Sequence, residues 1–214
     1  MLDERSIDQR NYTAFQTQSV AYIEQEKGKF DAFKDEISSI PPMEEAYPYE
    51  MVMRVGTDKT TIERWSILDK AEEKADARWT LTYPLQKSNF VYGYDTRAQQ
   101  TTPPAFTDTT LRYVPAVQSA ADEKVTLPGI SFKAAADDDL VQSYETHLKK
   151  STGEQYTYKV FSDYYLGSRH RTETVQIALD QHLEAGEYQV TVYAIDSFEH
   201  YSTNAATGTI YLKR

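Results

Sequence analysis

Residues Glu187–Ile195 read EYQVTVYAI and alternate without a break. Tyr188, Val190, Val192 and Ala194 share one face, while Gln189, Thr191 and Tyr193 take the other. A period of two with one apolar side predicts a strand lying on a core.

Outward from this strand the same pattern recurs. Short strands are expected at Thr109–Val117, Lys124–Ala134, Val141–Lys149, Gln155–Phe161, Thr174–Leu179 and Ala206–Leu212. Turn-rich gaps separate them, and none shows helical periodicity. Seven strands at this spacing predict an all-β, immunoglobulin-like sandwich over residues 109–214.

The N-terminal half predicts a smaller antiparallel β region over residues 1–88. Its strands are expected at Tyr12–Glu24, Glu50–Val55, Thr60–Ile67 and Arg78–Tyr83. The middle two form a hairpin around Gly56-Thr57-Asp58-Lys59, with Met51, Met53 and Val55 on one face. Residues 25–48 carry Pro41, Pro42 and Pro48 and read as a surface excursion with one helical turn around Phe30–Ile37. A connector follows Pro84, with a linker at 89–108 that ends in TTPPAF (Thr101–Phe106). Apolar residues on both faces, with no helical layer to cover one, predict that this sheet is hidden by the sandwich, by rearrangement or, as expected here, by a second copy of the chain.

Of the 214 residues, 40% are hydrophobic and 13% aromatic, which argues for a packed core and against disorder. The 17 tyrosines against eight phenylalanines suit sheets with one wet face. A net charge of −10 offers no basic stripe for nucleic acid. The absence of cysteine excludes disulfides, thiolate metal sites and cysteine nucleophiles. The opening MLDERSIDQR has no charged-then-apolar signal peptide, and no run nears the ~18 apolar residues of a membrane span. The natural start is expected to lie upstream.

Local signatures carry a resemblance. Leu183-Glu184-Ala185-Gly186-Glu187-Tyr188 resembles the tyrosine corner of fibronectin type III domains, where a Leu and a Gly precede a Tyr that opens the sixth strand. That resemblance gives Leu183, Gly186 and Tyr188 structural roles, with the Tyr188 hydroxyl bonded to nearby backbone. DDDLVQSYE (Asp137–Glu145), FSDYYL (Phe161–Leu166) and YAIDSF (Tyr193–Phe198) resemble the domain appended to bacterial secreted calcineurin-like metallophosphoesterases. RSIDQRNYTAFQTQSVAYIE (Arg5–Glu24), TTIERWSIL (Thr60–Leu68) and RWTLTYPL (Arg78–Leu85) resemble the closing segments of that enzyme. The family's Gly-Asp, Gly-Asn-His-Asp/Glu and Gly-His-x-His motifs are absent, the Asp-x-His that does occur (Asp180-Gln181-His182) lies late in the sandwich, and no histidine precedes His147. The resemblance therefore implies no catalytic residue and no resident cofactor here, although the parent family uses two divalent metals.

Candidate sites remain. Asp137, Asp138 and Asp139 precede the third sandwich strand, while Asp196, Glu199 and His200 follow the sixth. These loops share a pole, where carboxylates suit Ca²⁺. Asp residues also start turns, and that reading is preferred because no loop follows the spacing of a dedicated calcium loop. His147 and His170 read as solvated strand and loop residues, and His182 belongs to the turn before the tyrosine corner. Trp65 and Trp79, with Phe90, Tyr92 and Tyr94, form either a sugar-stacking platform or, preferably, packing.

The sequence thus predicts a non-catalytic C-terminal part of a secreted or cell-surface metallophosphoesterase, with an accessory sandwich. Its expected partner is the missing catalytic domain or a second copy. The alternative is a carbohydrate- or protein-binding surface module.

Overall fold

The structure is a computed structural model that describes residues 8–9, 13–14, 28–30, 33–37, 49–72, 78–83, 97–118, 126–164, 171–179 and 183–213. The chain is all-β, built of several antiparallel sheets. A single turn at 97–100 is the one helical stretch among the described residues. No helix among these residues is long and apolar enough to cross a membrane.

The chain divides into two compact units. One comprises Met1–Glu24, Met43–Thr101 and Tyr165–Arg171, and the other Gln25–Pro42, Thr102–Tyr164 and Thr172–Arg214.

In the first unit, β1 (Asp8–Gln9) pairs with β2 (Thr13–Ala14). The rest of the strand expected at Tyr12–Glu24 lies outside the described residues. The predicted hairpin is β5 (Tyr49–Val55) against β6 (Lys59–Ser66), turned by a Gly56 N–H to Lys59 carbonyl bond of 2.8 Å. The other edge of β6 takes β7 (Ala71–Glu72) and β8 (Arg78–Thr82). Ile62 is the buried centre of this sheet.

The second unit holds β3 (Gly28–Phe30) paired with β4 (Phe33–Ile37). This corrects the helical turn expected around Phe30–Ile37: the residues pair across the chain, from Gly28 to Ile37, instead of coiling locally.

The sandwich has two sheets. One runs β13 (Thr174–Ala178), β10 (Thr126–Lys133), β9 (Leu111–Gln118). The other runs β12 (Gln155–Phe161), β11 (Val141–Lys150), β14 (Gly186–Asp196), β15 (Ala206–Leu212). Their inner faces share one core. Tyr188, Val190, Val192 and Ala194 from β14 are almost fully buried there, with Leu148 from β11 and Ile130 from β10. Each buried aliphatic side chain contributes about 1.5–3 kcal/mol. Phe132 meets Tyr144 edge-to-face at a centroid distance of 5.1 Å, and Phe106 meets Phe132 at 5.9 Å.

Phe106 lies within the segment expected as linker. It belongs to the sandwich core, and Ala105 forms a bridge with Ala136. Asn204 clamps Phe106 on both sides, accepting from its N–H at 2.8 Å and donating to its carbonyl at 2.9 Å. A large aromatic with a place in the core draws its flanking chain into the fold, so the segment of this unit that carries the sandwich begins at Thr102. Gly129 marks a bulge in β10, where a Cβ would stand 2.6 Å from the Ile177 carbonyl oxygen.

Candidate functional site

The acidic pole forms where β11 begins and β14 ends, since Val141 pairs with Asp196. Asp196 is fully buried. Its Oδ1 accepts the Phe198 and His200 N–H groups, both at 2.8 Å, and its Oδ2 lies 2.9 Å from His200 Nδ1. An ionised carboxylate only accepts, which puts the His200 hydrogen on Nδ1. These bonds hold a loop so tight that Glu199 adopts φ 71°, a costly conformation for a residue with a Cβ.

The Asp137–Asp139 run meets that loop. Asp139 Oδ2 accepts the Ser197 hydroxyl at 2.6 Å. Asp137 Oδ1 accepts the Asp139 N–H at 2.7 Å, the local bond by which Asp starts a turn. Asp138 reaches the other way, accepting the Thr102 N–H and, at 3.0 Å, its hydroxyl. Burial pushes the Asp137 carboxyl up to about 6; the Asp139 N–H opposes the rise, and the charges of Asp196, Asp138 and Asp139 add to it. Asp137 Oδ2 is buried without a hydrogen-bond partner.

The two loops therefore converge, but their oxygens mostly face N–H and O–H groups of the fold. Among the described residues, no three His, Asp or Glu side chains form a metal-ligand group.

The corner ahead of β14 is built by three residues. Tyr188 donates its hydroxyl to the Glu184 carbonyl at 2.9 Å. Leu183 is buried beside it in the core. Gly186 has φ 149°, and a Cβ there would approach Lys150 Cε to 3.1 Å. Lys150 in turn bonds Glu184 at 2.5 Å, which draws its ammonium pKa upward.

The sequence reading passes over a second cluster, on the outer face of the four-stranded sheet. Register seats Glu145 between Lys159 of β12 and Tyr193 of β14. Glu145 accepts from Tyr201 at 2.9 Å, contacts Lys159 Nζ at 3.2 Å and meets His147 Nε2 at 2.6 Å. Lys159 is buried; His147 is half-exposed. Tyr193 stands edge-on to both His147, at 5.8 Å, and Tyr201, at 6.2 Å. The Glu-x-His alternation in β11 put two of these residues on one face, but the others depend on strand pairing.

Trp79 of β8 pairs with Ile62 of β6. Trp65 donates its indole N–H to Glu63 at 3.0 Å. Phe90, Tyr92, Tyr94, His170 and His182 lie outside the described residues.

No protein family, curated protein or solved structure matches this chain.

Proposed function

We propose that this chain is a non-catalytic accessory module, the C-terminal portion of a secreted or cell-surface metallophosphoesterase. The observation that carries the reading is the use made of the polar side chains. Asp138, Asp139, Asp196 and Glu145 hold neighbouring backbone, hydroxyl, imidazole and ammonium groups in place. Chemistry on a substrate needs groups aimed at a reacting atom; these are aimed at the fold. The strand order of the two sheets and the Tyr188–Glu184 bond support the fibronectin type III resemblance on which the parentage rests. The sandwich would act by packing on the rim of the enzyme and shaping access to it.

The test is hydrolysis of aryl phosphate mono- and diesters by the intact chain with Mn²⁺ or Fe²⁺ added. Turnover that survives repurification would overturn the reading.

A binding module is the second reading, favoured by the aromatic row of His147, Tyr193 and Tyr201 above the buried Glu145. Aromatic faces beside polar groups suit sugars. Glycan-array binding that Tyr201→Ala abolishes would promote it.

A further inference from the structure

The free edge of β5 carries a self-complementary sequence, and we propose that it pairs antiparallel with β5 of a second copy of this chain, about a two-fold axis at Val52. This goes beyond the accessory-module reading and does not depend on it.

The strand reads Tyr49-Glu50-Met51-Val52-Met53-Arg54-Val55. Among the described residues it pairs with β6 alone, so its other edge presents unpaired backbone groups. Laid antiparallel on itself about Val52, the sequence matches itself throughout. Glu50 faces Arg54, Met51 faces Met53, Val52 faces Val52, and Tyr49 faces Val55. Shifting the axis to Met51 sets Glu50 opposite Val52; shifting it to Met53 sets Arg54 opposite Val52. Only the Val52 axis gives each charge its opposite, and it does so twice by symmetry.

Backbone geometry agrees with this register. The Gly56 N–H bonds Lys59, so alternation along the ladder turns Arg54, Val52 and Glu50 toward β6. Met51, Met53 and Val55 then direct their N–H and C=O groups to the free edge. The Val52 axis joins those residues to each other and to Tyr49, satisfying the edge. Glu50 and Arg54 fall at non-hydrogen-bonded pairs, where Cα atoms approach to ~4.5 Å and side chains lie closest.

Side chains agree as well. Glu50 and Arg54 are exposed, and Glu63 takes the Arg54 Nε at 3.2 Å, leaving the terminal guanidinium nitrogens to reach a second carboxylate. Met53 and Val55 stand 55% and 71% exposed on one face, large for apolar residues. Pairing about Val52 sets each Met53 against a Met51 and makes that apolar face continuous across the axis.

Cysteine cross-linking of the full chain tests the register, because the native sequence contains no cysteine. Under mild oxidation Val52→Cys should give mostly covalent dimer, since position 52 alone meets its own copy. Arg54→Cys should stay monomeric: its copy lies four residues along, about 13 Å away at ~3.3 Å per residue, beyond the ~7 Å disulfide limit. In sedimentation, Glu50→Arg should shift the chain from dimer to monomer, and adding Arg54→Glu should restore the dimer. Equal cross-linking at both positions, or a wild-type chain that stays monomeric at every concentration, would overturn the proposal. If Glu50→Arg fails to fold, the cysteine pair decides alone.

Discussion

The Tyr188 hydroxyl donates to the Glu184 carbonyl at 2.9 Å, closing the corner through which the chain enters its longest strand. The ring is wholly buried, so the bond replaces water that the hydroxyl has lost. Gly186 sits between the two residues at a positive φ that lets the chain turn.

Tyr188→Phe should cost about 1 kcal/mol or more, because it removes that bond and leaves the Glu184 carbonyl without it. Gly186→Ala should cost roughly 1–2 kcal/mol through the backbone conformation and the approach to Lys150. Urea denaturation reads both. An unchanged midpoint for Tyr188→Phe would contradict the corner.

The Asp137 carboxyl sets a pH dependence whose sign can be worked out. Its folded value, about 6, exceeds the ordinary 3.8. Between about 4 and about 6 the folded chain binds more protons than the unfolded one, so stability at this site falls as pH rises through that window. Asp137→Asn keeps an oxygen for the Asp139 N–H and cannot ionise. It should gain on the order of 1 kcal/mol at pH 7, less than the full shift implies because the side chain is only partly buried. Matching pH profiles for the two proteins would contradict the assignment.

The predicted Glu187–Ile195 strand and the others of the sandwich were legible because alternation is local: Tyr188, Val190 and Val192 show their face within five residues. Pairing across the chain was not. The pairing of Trp79 in β8 with Ile62 in β6 is fixed by register and leaves no local pattern to read. The Glu145 cluster joins three strands and a loop residue, Tyr201, that lies 56 positions away. Phe106 looked like linker because proline-rich sequence hides one core aromatic.

Glu145→Gln should destabilise the sandwich by roughly 2–3 kcal/mol, since it removes the carboxylate charge that the buried Lys159 ammonium contacts. Lys159→Met should cost less, because Glu145 keeps the Tyr201 hydroxyl and His147. Thermal melts of the two variants give the comparison. A larger loss for Lys159→Met would reverse the order and contradict burial of the pair.

Millimolar Ca²⁺ should leave the melting temperature unchanged, because turn-forming bonds already occupy much of the acidic pole. A rise that Asp138→Asn removes would restore the cation reading.

The most direct test of a structural pole is the stability of Asp196→Ala. Residues placed for function commonly strain a fold, and replacing them leaves stability unchanged or raises it. Residues placed for the fold do the reverse. Asp196→Ala strips the Phe198 and His200 N–H groups and the His200 ring of their acceptor at a fully buried site. The account predicts a loss of about 2–4 kcal/mol by urea denaturation at pH 7. A variant as stable as the parent, or more so, would contradict it.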